Sequence, residues 1–202
     1  MNTLDYIVDK FKLDLKQRSP IDILDLGRED LAFLFCELGF TKGAEIGVLV
    51  GKYSRKLKQA NPGLELYGID PWLSYPEYPL GGPQSGFDSL YESAKQNVLP
   101  GTKLIRKKSM DAVHDFPDNS LDFVYIDGNH EFTSEANDIH EWSKKVRPDG
   151  IISGHDYRPY RLSSLSHSYE VVNAYTGAYR INPWFVIGRN KNHVRSWFWI
   201  KK

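Results

Sequence analysis

One cysteine, two methionines and no surplus of charge of either sign are what this 202-residue sequence has little of. With Cys36 alone, intrachain disulfides and cysteine-based zinc sites are excluded, and a reducing compartment fits. Lysine plus arginine number 26, as do aspartate plus glutamate. That balance argues against a phosphate backbone as the main partner, because such binding needs excess cation. No apolar run approaches the roughly 18 residues that span a bilayer, and the opening ten residues lack the unbroken apolar centre of a signal peptide. These absences predict a cytoplasmic protein with neither nucleic acid nor membrane as partner. The length predicts one domain over 1–202.

What is there begins with two helical patterns, Leu4, Ile7, Val8, Phe11 and Leu31, Leu34, Phe35, Leu38, which predict a helical preface over 1–42. Cys36 falls in the second and is expected to be buried there. From Gly43 short apolar runs alternate with amphipathic segments, the rhythm of a parallel sheet covered by helices. Strands are predicted at Gly43–Gly47, Leu64–Asp70, Lys103–Arg106, Leu121–Asp127 and Gly150–Ser153, with helices at Lys52–Gln59, Phe87–Leu99, Met110–Phe116 and Thr133–Val146. Proline, glycine and asparagine turns precede four of the strands. Two aromatic and β-branched runs, Trp184–Gly188 and Val194–Ile200, read as an antiparallel hairpin. The expected fold is therefore α/β, a Rossmann-like mixed seven-stranded sheet with a C-terminal hairpin, its core spanning 43–202. The hairpin's aromatic side chains would either pack within the sheet or form a homo-oligomer surface.

Ligands of open α/β sheets bind beyond the carboxyl ends of the strands, where strand order reverses, so each motif is weighed against a strand end. Glu45-Ile-Gly-Val-Leu-Val-Gly51 carries a strand into a helix, but Leu49 stands where a dinucleotide fingerprint needs its second glycine. That disfavours a pyrophosphate and hence a nicotinamide dehydrogenase. The turn either binds no ligand or admits a cofactor without phosphate, with Gly47 giving close approach and Glu45 facing an ammonium group. Asp70 ends the next strand, where a carboxylate accepts both ribose hydroxyls; its alternative is to cap the Pro71 turn. Two further strand ends carry Tyr125-Ile-Asp-Gly-Asn-His130 and Ile152-Ser-Gly-His-Asp-Tyr157. Asp127 and Asp156 can gather a hard divalent cation and leave His130 nearby as a base.

Together Glu45-x-Gly-x-x-x-Gly51, Asp70, Ile126-Asp-Gly-x-His130 and Gly150-Ile-Ile-Ser-Gly-His-Asp-Tyr157 resemble a class I S-adenosylmethionine-dependent methyltransferase. More narrowly, they are similar to the small bacterial family that includes macrocin-type sugar O-methyltransferases, with catechol O-methyltransferases further off. The resemblance implies that Glu45 and Gly47 hold the methionine portion of S-adenosylmethionine with Ser54 near its carboxylate, and that Asp70 holds the ribose. Ser109 and Met110 would flank the adenine, with Trp72 a further wall. Asp127 and Asp156 would bind magnesium or a similar cation, and His130 would be the general base. Lys108 stands before Ser109 where relatives often carry an acid. The implied reaction is methylation of a hydroxyl on a small molecule or saccharide. The N-terminal helices, the Trp72–Gly86 loop and the Tyr157–Ser168 segment would supply the acceptor pocket. The rival expectation is a non-catalytic nucleoside-binding module that keeps Asp70 but assembles no working metal site.

Overall fold

The structure, a computed structural model, describes residues 1–74, 82–159, 166–188 and 194–202. Helices α1 (Thr3–Phe11) and α2 (Arg28–Glu37) enclose strand β1 (Ile21–Leu24). Then β2 (Lys42–Ile46), α3 (Lys52–Ala60), β3 (Glu65–Ile69), α4 (Gln84–Asn97), β4 (Thr102–Ile105) and the short α5 (Ser109–Ala112) follow in turn. Strand β5 (Leu121–Ile126), α6 (Phe132–Lys145), β6 (Val146–Gly154), α7 (Ser168–Ala178), β7 (Phe185–Gly188) and β8 (Ser196–Ile200) complete the order.

The strands form one eight-stranded sheet in the order β1-β7-β8-β6-β5-β2-β3-β4. Only β8 runs against its neighbours; every other pairing is parallel. The Rossmann-like mixed sheet matches expectation, with one strand more. The extra strand is Ile21-Asp-Ile-Leu24, inside the segment assigned to helices. It pairs with β7 near the far end of the chain, so nothing in its neighbourhood announces a partner. The hairpin of β7 and β8 lies within the sheet, where Trp197, Phe198 and Trp199 are buried, so these aromatic side chains are core. Parts of the two loops expected to shape an acceptor pocket, 75–81 and 160–165, and the hairpin connection 189–193 lie outside the described residues.

Period-two alternation distributes side chains to two layers. Ala44, Ile46, Val124, Ile126, Ile152, Trp197 and Trp199 meet Ile139 and Trp142 of α6 and Val171 and Val172 of α7. On the opposite face Ile21, Ile23, Phe123, Tyr125, Ile151 and Phe198 meet Ile7 of α1, Leu31, Leu34 and Phe35 of α2, and Tyr53 and Leu57 of α3. Phe35 stacks on Phe123 with ring centroids 4.0 Å apart. Leu34 and Phe35 thus take the inward stripe of α2, and one residue further round its axis Cys36 is exposed, contrary to the buried role expected of it. Among the described residues no helix is long and apolar enough to cross a membrane.

Candidate functional site

Strand order reverses between β2 and β5, since the chain builds β3 and β4 on one side of β2 before crossing to β5 and β6 on the other. A crevice must open above the carboxyl ends of these strands. It holds a cavity of about 430 Å³, lined by Gly47 and Leu49 after β2, Asp70 and Trp72 after β3, Ser109 and Met110 of α5, Asp127–Asn129 after β5, and Asp138 of α6.

The β2–α3 turn is tied to β3 by a single carboxylate. Val48 N–H and Leu49 N–H donate to Asp70 Oδ2 at 3.1 and 2.9 Å, and Trp72 N–H donates to Oδ1 at 2.8 Å. Burial raises the Asp70 pKa against the pull of these three bonds. Asp70 therefore does cap the Pro71 turn while also facing the cavity. Gly47 has φ +90°, and a Cβ there would lie 2.0 Å from the Asp127 carbonyl oxygen and 2.7 Å from Gly128 Cα. Its missing side chain thus makes room for the β5 backbone. Gly47→Ala should destabilise the fold by about 2–4 kcal/mol, from overpacking against rigid backbone plus a left-handed φ. A denaturation midpoint equal to wild type would refute this.

Glu45 and Ser54 lie beneath the turn. Both are buried, and Ser54 Oγ donates to Glu45 Oε2. Burial pushes Glu45 up to about 8, only partly countered by Ser54, so its carboxyl carries a proton at neutral pH. Neither residue lines the cavity, and nor does Gly51, whose absent Cβ makes room for Val98.

Beside the cavity, and joined to it through Asp127, lies a cluster of acids and imidazoles. His130 Nε2 is 3.0 Å from Asp156 Oδ2 and 3.5 Å from Asp127 Oδ1. His155 Nδ1 is 3.0 Å from Asp156 Oδ1 and 3.6 Å from Asp127 Oδ1. Arg28, at the start of α2, donates from Nη1 to Asp127 Oδ2 at 3.2 Å. Burial opposes ionisation of both acids, yet hydrogen bonds from the two histidines outweigh it and hold both carboxyls below the usual range. Burial likewise opposes charge on His130, but Asp127, Asp156 and Glu135 raise it to about 12.

Behind His130, Ser168 Oγ donates to Glu135 Oε2 at 2.7 Å and lies 3.1 Å from His130 Nδ1. A hydroxyl has one hydrogen, and Glu135 takes it, so Nδ1 must carry the proton that Ser168 accepts. The neutral imidazole is thereby fixed as the tautomer whose Nε2 faces Asp127 and Asp156. One ligand atom each from Asp127, His130 and Asp156 lies within 4.8 Å of the others.

A family model described as a methyltransferase domain matches residues 44–157. The chain belongs to this methyltransferase family. The uncharacterized protein y4gI of Sinorhizobium fredii is 26% identical over 97 residues, 46% of this methyltransferase but 10% of that protein, so the chain spans a small part of its relative. In structure, it is similar to a Staphylococcus aureus protein assigned as a caffeoyl-CoA O-methyltransferase, with TM-score 0.63 and 13% identity over 98% of this chain and 90% of the other. A Nostoc punctiforme protein assigned as an O-methyltransferase gives TM-score 0.62 and 14% identity, over 86% of this chain and 55% of the other. At such identities the likeness is one of fold. That fold is the class I S-adenosylmethionine type named by the motifs.

Of the residues expected in the site, the methyltransferase brings Gly47, Asp70, Trp72, Ser109, Met110 and Asp127 to one cavity, with His130 and Asp156 beside it. Trp72 contributes little open surface: its indole is buried, lies 4.7 Å from the Tyr91 ring and donates from Nε1 to the Leu49 carbonyl at 2.8 Å. Arg28, Glu135, Asp138, His155 and Ser168 complete the constellation without having been singled out. His155 stood in a quoted motif and Glu135 follows one by five residues on α6, whereas Arg28, Asp138 and Ser168 sit on helices remote in sequence from the motif residues they touch.

Proposed function

We propose that this methyltransferase transfers the methyl group of S-adenosylmethionine to a hydroxyl of a small molecule or saccharide. The supporting observation is the juxtaposition, at the strand-order reversal, of a nucleoside-sized cavity carrying Asp70 with the Asp127–His130–Asp156 cluster. The residues fit the cofactor: Asp70 has about one lone-pair site left beyond its three backbone donors for a ribose hydroxyl, and Met110, Leu73 and Phe87 give apolar walls. S-adenosylmethionine supplies the electrophile, a sulfonium methyl whose C–S bond breaks toward sulfur as the acceptor oxygen forms the new C–O bond.

The protein must align the acceptor and remove its proton. We assign the proton to His130 Nε2, since Ser168 and Glu135 fix its tautomer and orientation from behind. Two neighbouring carboxylate oxygens suit a hard divalent cation, and we assign that cation to Asp127 and Asp156, which leaves the His130 Nε2 lone pair for the proton. Held there, it would acidify the acceptor hydroxyl and cancel the negative charge that now keeps His130 protonated. Arg28 brings α2 to the same edge, where it would border the acceptor. The rival reading, a nucleoside-binding module without catalysis, draws support from the cluster's balance of its own charges through Arg28, His130 and His155.

Methyl transfer from labelled S-adenosylmethionine to a panel of diols and catechols, with and without chelator, separates the two. Calorimetry with S-adenosylhomocysteine tests the cavity. Asp70→Ala should weaken that binding by about 1.5–3 kcal/mol, the scale for hydrogen bonds to a charged group, or roughly 10–150-fold. Unchanged affinity in a folded variant would remove Asp70 from the site.

A further inference from the structure

Two clefts flank the end of α7, and both carry more cation than acid. Trp184, which lines one, immediately precedes β7, and Lys201, which lines the other, follows the antiparallel β8. Both therefore open at the amino ends of the parallel strands, remote from the cofactor crevice. The larger has a volume of about 750 Å³, and one of its walls is a ladder of rings. Trp199, 3% exposed, lies 6.0 Å from Tyr175, which lies 4.5 Å from Tyr179, 58% exposed. The smaller, of about 350 Å³, is lined by Arg18, Arg180 and uncharged residues, with no acid among them. Arg180, Ile181 and Asn182 belong to both clefts.

The turn after α7 is built so that its donors face outward. Arg180 N–H donates to the Gly177 carbonyl at 3.3 Å and Ile181 N–H to the Thr176 carbonyl at 2.8 Å, which satisfies the closing carbonyls of the helix. Arg180 holds the left-handed position of this motif, φ +53°, where glycine is usual. Trp184 N–H donates to Ser19 Oγ at 3.0 Å, and the Ser19 hydrogen goes to Asn182 Oδ1 at 2.8 Å. This relay fixes the Asn182 amide and leaves its NH₂ unspent. Among the described residues neither that NH₂ nor the guanidinium of Arg18 or Arg180 has an acceptor. Asp149, the one acid lining the larger cleft, is occupied by Thr3 N–H at 3.0 and 3.1 Å.

We propose that the two clefts form one binding site for a small aromatic acid, separate from the cofactor crevice. Its anionic group enters the smaller cleft, where Arg18, Arg180 and Asn182 supply the donors, and its ring lies in the larger against Tyr175 and Tyr179. A guanidinium meets a carboxylate or a phosphate through two parallel hydrogen bonds. The tyrosine ladder offers a flat face on which a further ring can stack. Nothing in this site depends on the methyl transfer proposed above.

The test is calorimetry of 2-naphthoate, 2-naphthyl phosphate and the uncharged 2-naphthamide, with and without S-adenosylhomocysteine. At least one of the two anions should bind once per chain and at least about tenfold more tightly than the amide, the worth of hydrogen bonds to a charged group. Whichever anion binds distinguishes a carboxylate ligand from a phosphate one. Arg180→Gln should weaken that binding at least about tenfold, and S-adenosylhomocysteine should not displace it. Both arginines are exposed, so thermal midpoints should stay at wild type; Arg18→Gln, with a loss in the same direction, decides the matter if Arg180→Gln is unfolded. Binding of neither anion, equal affinity for the amide, full affinity in both variants, or displacement by S-adenosylhomocysteine would overturn the site. Each of these results leaves the proposed function standing.

Discussion

Replacing His130 with alanine is expected to lower kcat by about 10²–10⁴, the usual worth of a positioned general base, with little change in S-adenosylhomocysteine affinity. Wild-type rate should rise with pH as Nε2 loses its proton, and the variant should lose that acidic limb. Among the described residues the substitution also leaves His155 and Arg28 as the cationic partners of Asp127 and Asp156, so turnover has to be expressed per folded molecule. The stability effect has a definite sign. His130 is raised in the folded state to about 12, above its unfolded value of about 6.5. Its contribution is therefore complete below about 6.5 and is lost progressively as pH rises toward 12. Denaturation of wild type and variant should accordingly converge in alkali. Wild-type turnover in the folded variant would show that His130 is not the base.

The second large effect is expected from Asp156→Asn. Loss of outer-sphere groups at metal sites already costs about 10–100-fold, so if Asp156 binds the cation directly, as proposed, removing its charge should reduce turnover by at least about 100-fold. Cofactor affinity should stay near wild type, because Asp156 lies outside the cofactor cavity. The backbone should tolerate the change: Asp156 has φ +56°, a conformation asparagine adopts as readily as aspartate. Manganese titration by calorimetry should show weaker binding to the variant independently of any turnover. Wild-type activity that survives exhaustive chelation would remove the cation from the mechanism and leave proton transfer to His130.

Legibility followed the range over which each signal acts. Strands β2 to β6 were readable because their apolar runs are bounded by local turn chemistry, and their carboxyl ends identified Gly47, Asp70, Asp127 and Asp156 as neighbours. Strand β1 was not, because four residues between helices carry no pattern of their own and their partner β7 lies almost a chain length away. Motif reading also missed a second demand on Gly47, which lines the cavity: a Cβ there would meet the Asp127 carbonyl, a contact between two strands that no single motif contains. Glu45 and Ser54 were close in sequence to a site they support from beneath. The helix-borne groups Arg28, Glu135, Asp138 and Ser168 reach the crevice only through packing, and a charged residue on an amphipathic helix ordinarily reads as solvated.

Pairing of β1 with β7 also has a temporal consequence during synthesis. Strands β2 to β6 can assemble as they leave the ribosome, whereas β1 emerges before them and must await β7, which is made after them all. Until then Ile21 and Ile23 have no sheet partner, and α2, which follows β1 and bears Arg28, lacks one of its anchors. A nascent chain halted after β6 would thus hold the cofactor crevice in outline while its cationic edge stayed undocked. Docking of that edge thus has to wait for the synthesis of β7.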